Sequence, residues 1–423
     1  MLQAPPFFAY RLAPNIVYKH YLALTLYCIK ELMYYRIKDL YYNFKGDSIM
    51  REKIEVQARK ALELMKPYSP GKPIWEVQSE LGLQRVIKLA SNENPLGPSP
   101  KAVEAIQASL LDLHRYPDAQ TVSLKQTIAS HYDLGSEQVI VTNGGDELIT
   151  LVSEAFLDAG NEIIVPGPTF SEYEFGAQLM GAKVLEVPLK AEFQYDPEAI
   201  LAAVTERTKI VYLCSPNNPT GTYLSKTELQ YILDSLPKHV LVVLDAAYSH
   251  FASAEHYSDG MEFVRAGYPL LILNTFSKIY GLAGIRVGFG AAPQEIIQSM
   301  LQVKEPFNVN ALAQAAAIAA IGDKEHVSRS QDLVMQERER MYVSFRKLGI
   351  SYTESMSNFV LVELGAESDS IYGQLIARGI IVRHGETWGL PLHVRITIGT
   401  PEENDHLLAA FSDILPAVKQ AAE

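Results

Sequence analysis

Short apolar runs recur through the middle of the chain, separated by stretches with helical spacing. Val139–Thr142, Glu162–Val165, Lys183–Val187, Ile210–Cys214, Leu241–Leu244 and Leu270–Leu273 are such runs, and most lack a two-residue alternation. Strands covered on both faces read in this way. Asp146–Phe156 and Ser225–Leu236 carry the apolar spacing of helices and lie between the runs. Strand and helix in alternation predict an α/β fold with a doubly wound, mostly parallel sheet. Ahead of this region, Met50–Met65 reads as helix, residues 66–75 as Pro/Gly-rich loop and Val86–Ala90 as a short strand. The turn-rich Ser91–Pro98 follows it.

Beyond the sheet, Ala311–Ile321 is an alanine-rich helix and Val327–Leu348 a long charged one that leads out of it. Asn358–Glu363, Ile380–Val382 and His393–Ile398 predict the strands of a smaller α+β domain. A chain of 423 residues exceeds one ordinary domain. The expected division is a large domain over 97–325 and a small one over 326–423, with the N-terminal segment 50–96 joining the small domain. No internal repeat or low-complexity tract interrupts this plan.

Residues 1–49 do not match the remainder. They hold Tyr10, Tyr18, Tyr21, Tyr27, Tyr34, Tyr35, Tyr41 and Tyr42, and they are net basic in a chain of formal charge −12. Their longest apolar stretch, Tyr21–Ile29, is too short to span a bilayer. No small-residue cleavage site follows it, so a signal peptide is not expected. The segment is read as an upstream extension, with Met50 as the natural start. An amphipathic helix lying on a partner or a membrane surface is the other reading.

The acidic balance gives the chain no general attraction for nucleic acid or anionic membrane. A small anionic ligand would therefore need local positive groups. Cys28 and Cys214 cannot build a disulfide framework, and no Cys/His cluster points to a metal. A reducing cytoplasm fits this usage. His384 and His393 are read as surface or loop residues.

Open α/β sheets bind ligands beyond the carboxyl ends of their strands. Val139–Thr142 runs into Asn143-Gly144-Gly145-Asp146, where glycines and a helix start could seat a phosphate. Ile210–Cys214 runs into Ser215-Pro216-Asn217-Asn218-Pro219-Thr220-Gly221, a loop fixed by two prolines. Leu241–Leu244 ends in Asp245-Ala246-Ala247-Tyr248, and a buried carboxylate there needs a partner such as a pyridinium N–H. Leu270–Leu273 leads to Thr275-Phe276-Ser277-Lys278 and on to Arg286. A poorly solvated lysine has a lowered pKa and a nucleophilic neutral amine. Arg286 can answer a phosphate with its planar fork. The glycines near Lys278 do not form a dinucleotide fingerprint. Singly, these segments read as a turn, an N-cap aspartate and a surface lysine. It is their order along successive strand ends that points to one site.

With these residues the chain resembles the fold-type-I aminotransferases that depend on pyridoxal phosphate (PLP), and among them the histidinol-phosphate aminotransferase subfamily. The resemblance covers roughly residues 50–423 and is most specific in Ser215–Gly221 and Thr275–Gly288. It implies that Lys278 carries PLP and later shuttles a proton, with Asp245 partnering the pyridine nitrogen. Asn218 and Tyr248 would meet the cofactor's phenolic oxygen. Gly145, Asp146, Thr275, Ser277 and Arg286 would form the phosphate cup, and Phe170 would stack on the ring.

Tyr116 is similar to a tyrosine that reaches the phosphate in a neighbouring subunit, which implies a homodimer. Arg395, in Val394-Arg395-Ile396-Thr397-Ile398-Gly399, and Arg383 would meet the substrate anion. The implied reaction is transamination of L-histidinol phosphate with 2-oxoglutarate, in histidine biosynthesis. An aromatic amino-acid aminotransferase and a phosphothreonine decarboxylase would share the cofactor residues. A non-enzymatic ligand sensor on this fold would carry a DNA-binding segment ahead of it, and residues 1–49 do not read as one.

Overall fold

The apolar runs become neighbouring strands of one large sheet. The structure is a computed structural model that describes residues 56–63, 65 and 71–422, with side chains as far as Pro416. In chain order the strands are β1 (Ile87–Lys88), β2 (Val139–Thr142), β3 (Glu162–Gly167), β4 (Lys183–Pro188), β5 (Thr208–Cys214), β6 (Leu241–Asp245) and β7 (Leu270–Thr275). They continue as β8 (Gly288–Ala291), β9 (Ser351–Tyr352), β10 (Phe359–Glu363), β11 (Ile380–Ile381), β12 (Arg383–His384) and β13 (His393–Thr397).

Seven of them form a sheet in the order β2-β8-β7-β6-β5-β3-β4. β8 runs antiparallel to both its neighbours, and every other pairing is parallel. Side chains alternate between two cores. Val242, Leu244, Leu270 and Ile272 join one, while Leu241, Val243, Leu271 and Leu273 join the other. Both faces are thus covered, which is why these strands carry apolar runs without alternation. Helices Gly145–Phe156 and Glu172–Met180 pack on the second face through Leu148, Val152, Tyr173 and Ala177. Helices Val122–Tyr132, Lys226–Ser235 and Ala311–Ile321 pack on the first through Ile128, Ile232 and Ala317.

β8 has no counterpart among the expected strands. Its sequence is Gly-Phe-Gly-Ala, a weak strand signal. Neighbours crowd it: a Cβ on Gly290 would lie 2.9 Å from Leu148, and one on Gly288 would lie 2.8 Å from the Gly144 backbone. Glycine here permits close approach rather than marking a turn.

A second, antiparallel sheet has the order β12-β13-β10-β9. β1 pairs in parallel with β11, Ile87 opposite Ile380, so the chain before the large sheet returns to the strands after it. β1 is shorter than the strand expected at Val86–Ala90. Of the helix expected at Met50–Met65, the described residues 56–63 and 65 hold only the short 3-10 turn Lys60–Glu63, so the helix is not found there, and the remaining positions lie outside the described residues. The reading of residues 1–49 also lies outside them. By its contacts the chain divides into Met1–Lys60 and Ala61–Glu423. His384 and His393 are corrected from surface or loop. They lie in β12 and at the start of β13, both half-buried, and His384 faces Asp369 at 3.1 Å. Among the described residues no helix is long and apolar enough to cross a membrane.

Candidate active site

The carboxyl ends of β2, β5, β6 and β7 open on one cavity of about 250 Å³. Gly71, the loop Ala90–Glu93, Arg383, Trp388 and Arg395 line its other side. It holds Gly145, Asp146, Phe170, Asn218, Asp245, Tyr248, Thr275, Ser277, Lys278, Arg286, Arg383 and Arg395, all of which the sequence singles out.

Lys278 stands just beyond β7, and its Nζ donates to the Ser91 carbonyl at 3.1 Å. The same nitrogen lies 5.7 Å from the centre of the Tyr248 ring. Burial, and then the nearby Arg395 guanidinium, lower its pKa to about 8. A substantial neutral fraction therefore exists near physiological pH, as a nucleophilic amine requires. Asp245 ends β6 and is buried. Its Oδ2 accepts from the Tyr173 hydroxyl at 2.6 Å and its Oδ1 from the Ala247 N–H at 3.0 Å. Burial raises its pKa, and these two donors pull against that rise. Tyr173 is itself locked by stacking on Tyr212, with ring centres 4.7 Å apart.

The start of helix Gly145–Phe156 faces the cavity without a side-chain cap. Its free N–H groups and positive dipole end can receive an anion. Gly144, at φ 82°, lets Arg286 lie across it, since a Cβ there would overlap the guanidinium. Thr275 Oγ1 donates to Ser277 Oγ at 3.0 Å and accepts from the Ser277 N–H at 3.1 Å. Arg286 Nη2 pairs with Asp146 Oδ2 at 3.1 Å, and its Nη1 donates to the Ala283 carbonyl at 3.2 Å. The Asp146 carboxylate would repel a phosphate, so its direct part in such a seat falls to its backbone N–H.

Arg395 is held from several sides. It donates to Asn218 Oδ1 and, at 2.6 Å, to the Ala90 carbonyl. Its guanidinium lies 4.9 Å from the Trp388 ring and 5.1 Å from the Phe359 ring. Arg383 sits directly across from it in the β12–β13 pair. Like charges opposite one another in a sheet repel, and an anion between them relieves this. With Asn218 Oδ1 taken by Arg395, Nδ2 is the group this asparagine can present. Phe170 lines the cavity and meets Tyr173 edge-on at 5.7 Å. Tyr116 does not line this cavity. It is 82% exposed and stacks on Phe307 at 4.7 Å.

The model of the family described as aminotransferase class I and II matches residues 84–411. The chain belongs to the class I and II aminotransferases. A histidinol-phosphate aminotransferase of Moorella thermoacetica is 46% identical over 360 residues, 85% of this chain and 93% of the relative. A putative histidinol-phosphate aminotransferase of Erwinia carotovora atroseptica, solved as a crystal structure, is 27% identical. It aligns with a TM-score of 0.75 over 79% of this chain and 97% of its own. The histidinol-phosphate aminotransferase of Sinorhizobium meliloti, solved in complex with pyridoxal-5'-phosphate, aligns with a TM-score of 0.78. It covers 87% of this chain and 100% of its own at 24% identity, a likeness of fold.

The residues of this aminotransferase fit such a cofactor. The cradle at Gly144, Ser277 and Arg286 suits a phosphate, the buried Asp245 suits a pyridinium N–H, and the Lys278 amine suits an aldehyde. Several residues in or behind the cavity carry no signal in the sequence. Tyr173 looks like core, and only the fold shows that its hydroxyl holds Asp245. Ser91 and Asn92 lie in a stretch recognised only as a turn. Trp388 ends the short helix Gly385–Trp388, whose four residues carry no periodic signal.

Proposed function

We propose that this aminotransferase carries PLP on Lys278 and moves the amino group of L-histidinol phosphate to 2-oxoglutarate. The products are imidazole acetol phosphate and glutamate, in a step of histidine biosynthesis. The observation that carries the substrate reading is the pairing of Arg383 and Arg395 across β12 and β13 at the cavity. Both substrates bring an anion, a phosphate ester or a carboxylate, and arginine meets either with paired hydrogen bonds. The relative at 46% identity, itself a histidinol-phosphate aminotransferase, supports the same donor.

When bound, PLP supplies an aldehyde that exchanges amines and a ring that takes up electrons. The chain's own residues do the rest. Lys278 anchors the cofactor, then holds and moves the proton taken from the substrate's α-carbon. Asp245 keeps a proton on the ring nitrogen. Asn218 Nδ2 and the Tyr248 hydroxyl would hold the phenolic oxygen by hydrogen bonds. Gly145, Asp146, Thr275, Ser277 and Arg286 would seat the phosphate, and Phe170 would stack on the ring.

Arg395→Lys keeps the charge and loses the fork. One charge-assisted hydrogen bond is worth roughly 1.5–3 kcal/mol, so kcat/KM should fall about 10- to 100-fold for both substrates. Arg383→Ala should weaken the phosphate donor more than 2-oxoglutarate, because a dianion uses a second arginine more fully. A panel of donors assayed with 2-oxoglutarate tests the reading. A higher kcat/KM with phenylalanine or tyrosine would replace it with an aromatic amino-acid aminotransferase.

The proposal includes two domains, 97–325 and 326–423, with residues 50–96 joining the smaller one. It includes a cytoplasmic setting, in keeping with the buried free thiol of Cys214. It also includes a homodimer in which Tyr116 completes the neighbour's phosphate seat. The exposed Tyr116–Phe307 pair, with Leu111 and Leu113 exposed close by in sequence, supports such a contact. A Tyr116→Ala chain mixed with a Lys278→Ala chain should regain activity, because each hybrid dimer holds one intact site. With statistical exchange, about a quarter of the wild-type activity should return. No recovery despite proven subunit exchange would remove Tyr116 from the shared site.

A further inference from the structure

Tyr248 is buried, and its hydroxyl oxygen accepts a hydrogen bond from Asn92 Nδ2 at 2.9 Å. An amide nitrogen only donates, so the Tyr248 proton must go to another acceptor. Burial pushes the phenol's pKa up, so that proton stays in place. The Asn92 amide is fixed from its other end. Its Oδ1 accepts from Thr397 Oγ1 at 2.9 Å, and its backbone N–H donates to the same Oγ1 at 3.0 Å. Asn358 Nδ2 holds the Asn92 carbonyl at 3.0 Å. Asn92 is 1% exposed and has φ 55°, a left-handed conformation that asparagine tolerates better than most residues. The carbonyl before it, on Ser91, is the one that receives the Lys278 amine.

We infer that Asn92 is a positioning residue that turns the Tyr248 O–H into the cavity, toward the phenolic oxygen of the cofactor. The inference rests on the placement of Tyr248 given above. Thr397 lies two residues beyond Arg395 on β13. One directed chain of hydrogen bonds therefore runs from the strand that meets the substrate anion, through Asn92, to the tyrosine that meets the cofactor. Accepting from Asn92 also makes Tyr248 a better donor, by about 10–30% in strength. Nothing in the turn-like string Ser91–Pro98 reveals this role, since both partners come from distant parts of the chain.

The readout is the visible absorption of the PLP-loaded protein, titrated against pH. A hydrogen bond to the phenolic oxygen favours its ionised form, so losing that bond raises the midpoint of the spectral change. Tyr248→Phe should raise it by about one pH unit, tenfold in proton affinity. Asn92→Gly keeps the left-handed backbone and removes only the amide. It should raise the midpoint by about half a unit, as an unsteered hydroxyl spends part of its time elsewhere. In the Tyr248→Phe background it should add nothing. Should Asn92→Gly fail to fold, Asn92→Asp keeps size and backbone but replaces the donor with an acceptor for the Tyr248 proton. Its shift should then be at least as large as that of Tyr248→Phe. An unmoved midpoint in Asn92→Gly, or a shift that persists without the Tyr248 hydroxyl, overturns the inference. An unmoved midpoint in Tyr248→Phe overturns the placement of Tyr248 as well, so the two failures are distinguishable.

Discussion

Lys278→Ala should lower kcat/KM by roughly four to six orders of magnitude while leaving the protein folded and able to bind cofactor. In the proposed reaction this side chain is both anchor and proton carrier, and its loss would remove both at once. The cradle at Gly144, Ser277 and Arg286 and the carboxylate of Asp245 remain, so PLP should still bind. Borohydride should fix the cofactor of the wild-type protein to the peptide containing Lys278. A label on any other lysine would remove the assignment. The amine's lowered pKa adds a pH dependence with a definite sign. The folded value is about 8, so the neutral share of the apoprotein's amine falls about tenfold for each unit below it. Covalent capture of PLP by apoprotein should therefore speed up with pH to about 8 and level off above. A capture rate that is flat from pH 6 to pH 9 would show that this amine is not the group that titrates.

Much of this geometry is legible before any coordinates. β5, β6 and β7 are buried along almost their whole length, so each leaves an uninterrupted apolar run in the sequence. A residue at the end of such a run lies at the carboxyl edge of the sheet, which is how Asp245 and Lys278 can be placed together. Helix Ala311–Ile321 keeps its expected limits, because alanine spacing and the Asn310 cap act locally. The illegible parts depend on partners distant in the chain. β8 needs glycines where Leu148 and the Gly144 backbone approach, and those glycines erase its strand signal. The pairing of Arg383 with Arg395 is a matter of register between β12 and β13, and twelve residues of sequence separation do not encode it. Tyr173 and Asn92 orient Asp245 and Tyr248 through single hydrogen bonds from other elements. Sequence patterns report burial and periodicity. They do not report which buried hydroxyl or amide points at which neighbour.

Asp245→Asn should be the next most damaging change, with kcat reduced by roughly 10²- to 10⁴-fold. Asparagine has nearly the same shape, so the loss is one of charge. In its proposed role a carboxylate at Asp245 would keep the ring nitrogen protonated, whereas an amide can donate to that nitrogen and leave it neutral. The ring then draws electrons poorly, and removal of the α-proton slows. The same substitution should act in the opposite direction on the apoprotein. Burial raises the Asp245 pKa in the folded state above its unfolded value. Stability therefore declines as pH rises through that interval, and the penalty persists at neutral pH. Removing the charge should raise the apoprotein Tm by about 1–3 °C. If Asp245 holds the ring nitrogen as proposed, a pyridinium would offset the buried carboxylate in the loaded protein, so there the substitution should lower Tm instead. Tyr173→Phe gives a graded comparison. It deletes the 2.6 Å donor that pulls the Asp245 pKa down, so the ionised carboxylate loses one of its two stabilising partners. Its kcat should fall about tenfold, within the range for one hydrogen bond to a charged group. Steady-state kinetics and thermal melts of both forms read all of these effects. If Asp245→Asn retained more than a tenth of the wild-type kcat, the ring nitrogen would not depend on this carboxylate. If it lowered the Tm of the apoprotein, Asp245 would be stabilising the fold rather than serving the cofactor at a cost to it.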